Sequence, residues 1–88
     1  MNSFNRAEQQ AISRAAAELE LRGSVGSLDL INRTFVLTAS TRVVTVSWTD
    51  LTSLRGVVLA TLSGRNIEVE GYLQGNGVLV ARKVSLQG

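Results

Sequence analysis

The stretch IEVEGYLQGNGVLVARKV, residues 67–84, decides the fold of this chain. Apolar and polar residues alternate along its first half, so one face of a strand carries Ile67, Val69, Gly71 and Leu73. Gly75-Asn76-Gly77 then reverses the chain, with glycine suited to a left-handed backbone position. Leu79 and Ala81 return opposite Leu73 and Gly71. The stretch therefore predicts an antiparallel hairpin.

In the returning strand of this hairpin, the alternation of apolar and polar residues shifts by one position. Val84 is apolar, whereas strict alternation from Ala81 would place the next inward residue at Lys83. One extra residue at Arg82-Lys83 restores the pattern and puts Val84 opposite Val69. We predict a β-bulge at this point, a feature that is common where a sheet curves.

Two earlier runs predict a second hairpin. If residues 39–42 form its turn, residue 37 faces residue 44 and residue 35 faces residue 46. This register places four apolar side chains on one side: Phe35, Leu37, Val44 and Val46. A slip of one residue would expose half of them, so the pattern fixes the pairing. A further strand begins at residue 18, and its phase slips from Val25 to Leu28 across Gly26, which predicts a bend.

The residues before 18 have helical spacing instead. Asn5 is suited to cap a helix, with Glu8 as the reciprocal partner, and the apolar stripe that follows is mostly alanine. We predict a helix over residues 6–17 that acts as a linker or lid. Between the third and fourth strands, the segment from Asp50 to Gly64 predicts a loop or a short helix capped by Asp50. The expected architecture is all-β: a five-stranded OB-like barrel over residues 18–88, with an N-terminal α-helix in residues 1–17.

The amino-acid composition excludes several kinds of catalytic and metal-binding site. The chain has 88 residues, enough for one domain, and contains no His and no Cys. Zinc sites, haem ligation by histidine, thiol nucleophiles and Ser-His-Asp triads therefore lack their residues. We expect neither an enzyme nor a bound cofactor. The net charge is only +2, whereas proteins that bind nucleic acid usually concentrate basic residues on one face. No apolar run approaches the ~20 residues that a membrane span needs. The first residues also lack the layout of a signal peptide.

Most of the chain after residue 18 resembles the bacterial family catalogued as domain of unknown function 5666. The resemblance lies in residues 22–30, RGSVGSLDL, in Phe35-Val36-Leu37 and Val44-Thr45-Val46, and in residues 62–71 and 77–84. Its most specific part is residues 67–84. Membership implies a small OB-like barrel, often in tandem copies within exported bacterial proteins, without assigned activity or catalytic residues. It also implies a periplasmic or secreted location.

Five side chains are candidates for binding: Trp48, Arg42, Arg33, Arg65 and Tyr72. OB folds that bind nucleic acid stack bases on aromatic rings within a basic groove, and these residues supply both types. Trp48 is also in phase with Val44 and Val46, which favours a role in closing the core. Tyr72 is in phase with the acidic Glu68 and Glu70, which repel phosphate.

Glu68 and Glu70 form a further candidate pair, for acid/base work or for a cation. A cross-strand ion pair of Glu70 with Arg82-Lys83 is the interpretation we favour, and no metal is expected. The sequence thus predicts a non-catalytic binding module for an unknown protein or cell-envelope component, with tandem copies or an oligomer allowed. The alternative is an OB fold that binds single-stranded nucleic acid or oligosaccharide.

Overall fold

The computed structural model describes residues 17–87, which form one six-stranded sheet. The strands are β1 (Ala17–Asp29), β2 (Thr34–Ala39), β3 (Val43–Ser47), β4 (Ser53–Arg55), β5 (Asn66–Leu73) and β6 (Val78–Leu86). Within this range one 3₁₀ helix, Leu59–Thr61, lies between β4 and β5. The all-β class is confirmed, with six strands in place of the five expected.

The long strand β1 organises the sheet. Its first part pairs antiparallel with β5, from Ala17 opposite Leu73 to Ser24 opposite Asn66. Its second part pairs antiparallel with β2, starting with Gly23 opposite Ala39. The spatial order is β3-β2-β1-β5-β6-β4, and β3 also pairs in parallel with β6, so the sheet closes on itself.

The closed sheet surrounds a small core that the alternation predicted. Phe35 lies opposite Val46 and Leu37 opposite Val44, as the second predicted hairpin requires. All of these inward side chains are buried, together with Trp48 and the apolar residues of β5 and β6: Ile67, Val69, Leu79, Ala81 and Val84. Hydrophobic burial of roughly 25 cal/mol per Å² is the main force that holds these strands together.

Both predicted irregularities are present. In β6, Ala81 lies opposite Gly71 and Lys83 opposite Glu70, so Arg82 is the extra residue and the bulge is confirmed. In β1 the pairing with β2 shifts between Gly26 and Asp29, which confirms the bend. At this shift, Ser27 adopts a left-handed backbone conformation with a φ of 49°. Extra residues of this kind raise the local twist and help the sheet to curve.

The segment between β3 and β5 differs from the prediction. No helix begins at Asp50; the chain instead makes a turn, the short strand β4 and the 3₁₀ helix. Gly56 has a φ of 72°, which a right-handed helix cannot contain, and Val58 is extended. The tertiary contact that holds β4 is its pairing with β6, reinforced by the Thr52 hydroxyl, which donates to the Ala81 carbonyl oxygen at 2.7 Å.

The helix predicted for residues 6–17 lies outside the described residues, except for Ala17, which begins β1. The division of the chain between residues 17 and 18 stays a prediction, and β1 begins one residue earlier, at Ala17. Among residues 17–87, no helix is long and apolar enough to cross a membrane.

Candidate functional site

Trp48 lies at the end of β3 and closes the core, as its phase predicted. Only 5% of the residue is exposed, and its ring stacks on Phe35 with centroids 5.9 Å apart and planes at 30°. Its backbone N–H donates to the Arg33 carbonyl oxygen at 3.1 Å. To stack on a ligand, the indole would have to leave this packing.

The other four candidates are exposed and lie on separate elements. Arg33 stands in the turn before β2, with a φ of 59°, and its guanidinium donates to Asp50 at 3.0 Å. Arg42 lies in the turn between β2 and β3, and Arg65 immediately precedes β5. Tyr72 is 41% exposed on β5, opposite Glu18.

These five residues do not form one groove. Arg65 and Tyr72 are separated by seven residues of extended chain, roughly 23 Å at about 3.3 Å per residue. Trp48 is directed into the core, and Arg33 is occupied by Asp50. The binding role proposed for the set stays a prediction, and the structure brings only Arg33 and Trp48 next to each other.

A cluster of three carboxylates lies on the outer face of β1 and β5. Oxygen atoms of Glu20, Glu68 and Glu70 all lie within 4.8 Å of one another. Cations surround them: Arg82 and Lys83 both pair with Glu70, the latter at 3.2 Å, and Arg22 lies 3.7 Å from Glu68. The predicted cross-strand ion pair of Glu70 with Arg82-Lys83 is confirmed.

Two of these carboxyl groups share a hydrogen bond that shifts their pKa values in opposite directions. The pKa of Glu20 is raised, first by its hydrogen bond to Glu68 and then by the negative charges of Glu68 and Glu70. The pKa of Glu68 is lowered by the same hydrogen bond and by the positive charges of Arg22 and Lys83. The crowding of like charges opposes ionisation of Glu20, while the neighbouring cations favour ionisation of Glu68. A hard cation requires about six converging oxygen ligands, and the neighbouring basic side chains oppose a cation here.

The strand β4 provides a different kind of site, which the sequence did not indicate. One edge of β4 pairs with β6, from Ser53 opposite Lys83 to Arg55 opposite Ser85. No strand in the described part of the chain pairs with its other edge. All three residues of β4 are exposed, so this edge offers backbone hydrogen-bonding groups to a partner.

A cleft lined mostly by apolar residues lies directly after β4 along the chain, starting at Gly56. Its volume is about 130 Å³, and its lining includes Gly56, Val57, Val58, Leu62, Arg65 and Leu86. We call it the β4 cleft. Two of its apolar side chains are largely exposed, Val58 at 64% and Leu86 at 42%, and Leu54 of β4 is 40% exposed.

Two arginines flank the β4 cleft without an acidic partner. Arg65 lines it, and Arg55 directly precedes Gly56; among residues 17–87 neither forms an ion pair. The site thus combines a free strand edge, an apolar pocket and two uncompensated positive charges. Gly56 and the Val57-Val58 pair, which weaken a helix prediction, are the sequence signals that mark the segment.

Comparison with known proteins adds information on the fold. No family model matches the chain, and no curated protein gives a significant match. Solved structures of CusF from Escherichia coli are similar: a Cu(II) form of a CusF variant has a TM-score of 0.66 at 11% identity, with 81% of this chain and 92% of that chain covered. An Ag(I) form has a TM-score of 0.65 at 12% identity, with 86% and 99% covered. The apo form has a TM-score of 0.62 at 12% identity, with 83% and 90% covered. At this identity the likeness establishes the OB-like fold alone.

Proposed function

We propose that this chain is a non-catalytic binding module that takes an extended polypeptide segment along β4, with an apolar side chain in the β4 cleft. The observation that carries the proposal is the free edge of β4, followed directly along the chain by a cleft with a mostly apolar lining. Extended peptides commonly add to exposed strand edges, where backbone hydrogen bonds give affinity and side-chain pockets give specificity. The uncompensated Arg55 and Arg65 favour a segment that also carries acidic residues.

The Ag(I) and Cu(II) of the CusF structures do not fit the residues of this chain. Soft metal ions favour thiolate, thioether and imidazole ligands. The chain has no Cys and no His, and its one Met is residue 1, which precedes the sheet. Similarity of fold therefore does not imply the same metal site in this chain, because proteins that share a fold can have unrelated functional sites.

Nucleic acid is the weaker candidate ligand. The indole of Trp48 is packed against Phe35, and Tyr72 lies on the face that carries Glu68 and Glu70. A stacking platform needs exposed rings in a positively charged groove. The resemblance to domain of unknown function 5666 stays a proposal, and it supports a place in an exported, periplasmic or secreted bacterial protein.

A peptide library displayed on phage tests the proposed function. The wild-type chain is expected to enrich sequences in which apolar and acidic residues alternate. Val58→Glu introduces a charge at the β4 cleft on a side chain that is already 64% exposed, and it should abolish the enrichment without unfolding the chain. Val43→Glu is the matched control, because Val43 is 66% exposed on β3 and does not line the cleft. Equal enrichment by all three proteins, or none by the wild type, would overturn the proposal.

A further inference from the structure

Part of the sheet has two free edges. The first residues of β1 pair with β5, β5 pairs with β6, and β6 pairs with β4, which gives a four-stranded section. β2 joins β1 only from Gly23 onward, so no described strand covers residues 17–22 on their outer side. This section therefore has the β4 edge at one end and residues 17–22, which we call the β1 edge, at the other.

Side chains run in continuous rows across the section. One inward row consists of Leu21, Val69, Val84 and Leu54, which are paired neighbours from β1 to β4. An outward row consists of Glu20, Glu70, Lys83 and Ser53, and the next outward row ends with Arg55. Leucine thus faces inward at both edges, while the outward residues differ in charge.

The charge at the β1 edge is opposite to that at the β4 edge. Glu18, Glu20 and Arg22 lie on its outward face, which gives a net charge of −1. Glu18 lies 3.8 Å from Arg82, and Arg22 lies 3.7 Å from Glu68. Glu20 forms no ion pair within residues 17–87, and its pKa is raised by the hydrogen bond to Glu68 and by the charges of Glu68 and Glu70. A positive charge from outside the chain would relieve this crowding. Arg55 at the β4 edge forms no ion pair within residues 17–87.

We propose that the β4 edge of one copy of this chain pairs with the β1 edge of a second copy, head to tail, so that the sheet continues from copy to copy. The inference rests on the proposed function and identifies the acidic, apolar segment as residues 17–22. The interface is heterologous, because two different surfaces meet, and it leaves one free edge at each end of a dimer.

The alternation of both edges supports this pairing. When Leu54 lies opposite Leu19 of the second copy, Arg55 lies opposite Glu20 in a parallel pairing and opposite Glu18 in an antiparallel one. Either direction places leucine against leucine on the inner face and arginine against glutamate on the outer face. Opposite charges at facing positions of neighbouring strands stabilise a sheet.

The association is expected to depend strongly on concentration. β4 has three residues, so the pairing is short. We expect an interface of less than about 1,200 Å², a size that is typical of weak complexes. Sedimentation velocity of the full chain from about 10 μM to about 1 mM covers the corresponding range of affinity. The wild-type sedimentation coefficient should rise over this range, and the rise should decrease in high salt because exposed charges are screened.

Charge reversal tests the pairing of Arg55 with the acidic face of the β1 edge. Arg55→Glu and Glu20→Lys should each hold the chain as a monomer at concentrations where the wild type associates. The double variant combines both changes, keeps the wild-type net charge of +2 and should associate again. Both positions are exposed, so neither variant removes a core contact.

The outcomes separate this inference from the proposed function. A wild-type chain that stays monomeric throughout, or a double variant that stays monomeric, would overturn the head-to-tail pairing. Unchanged association of either single variant would also overturn it. Val58-dependent peptide binding by a monomeric chain would leave the proposed function standing with another polypeptide as the partner. Loss of both results would reject the β4 edge as a binding site.

Discussion

Gly71→Ala tests the contact that brings β5 and β6 together at the bulge. Gly71 is buried in β5, opposite Ala81. A Cβ atom at this position would overlap the Val80 carbonyl oxygen and lie 2.9 Å from both the Val80 carbonyl carbon and the Ala81 Cα. These are backbone atoms of β6, so rotation of a side chain cannot relieve the overlap.

The strands have little freedom to move apart. Val69 and Val84 pair on one side of Gly71, Leu73 and Leu79 pair on the other, and three of these four side chains are fully buried. Overpacking of a core costs about 1–3 kcal/mol. The loss of glycine flexibility in the unfolded chain offsets about 0.4–1 kcal/mol of this cost. The overlap is with backbone atoms, so we expect a cost near the upper end of this range and a net loss of about 2–2.6 kcal/mol in the free energy of unfolding.

Urea denaturation followed by tryptophan fluorescence measures this loss, because Trp48 is the only tryptophan and lies in the core. With an m-value of about 1 kcal/mol per M, the midpoint should fall by about 2–2.6 M. Gly75→Ala is the matched control, since a Cβ there meets no atom within 4 Å and the φ is not positive. It should stay within about 0.5 kcal/mol of the wild type. Equal midpoints for the two variants would refute the close approach of β5 and β6.

Three further predictions follow from the charges and from the extent of the core. At about 150 mM salt, single-stranded DNA should leave Trp48 fluorescence unchanged, and salt-sensitive quenching at micromolar concentration would favour the nucleic-acid alternative. The raised pKa of Glu20 means that its contribution to stability is present at low pH and is lost as the pH rises through that pKa. Glu20→Gln should therefore raise the melting temperature of dilute protein at neutral pH, with a difference that disappears below the ordinary pKa of 4.5; a difference independent of pH would contradict the like-charge crowding. Deletion of residues 1–16 should reduce the stability by less than roughly 2 kcal/mol and leave cooperative unfolding, because the described core lies within residues 25–84; an unfolded product would show that the core needs the deleted segment.

The register of the long strands could be predicted because side chains alternate with a period of two. Phe35 and Leu37 fix the pairing of β2 with β3, since a slip of one residue would turn both toward solvent. The same rule located the bulge at Arg82, where the apolar phase changes between Ala81 and Val84. These strands bury one face, and burial of one face requires apolar and polar residues to alternate in the sequence.

β4 could not be predicted in the same way. All three of its residues are exposed, so burial imposes no alternation on them, and the strand forms through its pairing with β6. The β4 cleft depends on the position of Val58 and Leu86, which are distant in sequence and meet through the tertiary fold. The carboxylate cluster is another tertiary feature, since Glu20 comes from β1 while Glu68 and Glu70 come from β5. The proposed site therefore lies where local sequence patterns carry the least information.

Charge also decides which of the two free edges can pair. Exposed edges promote unwanted pairing of sheets, and charged side chains at the edge are a common protection against it. Two β1 edges would bring together outward faces that each carry Glu18, Glu20 and Arg22, and two β4 edges would bring together Arg55 with the neighbouring Lys83 on both sides. Both pairings bring together faces whose net charges have the same sign, which is less favourable than a pairing of opposite net charges. Pairing of a β1 edge with a β4 edge is the combination in which the outward charges attract and the inward leucines still meet.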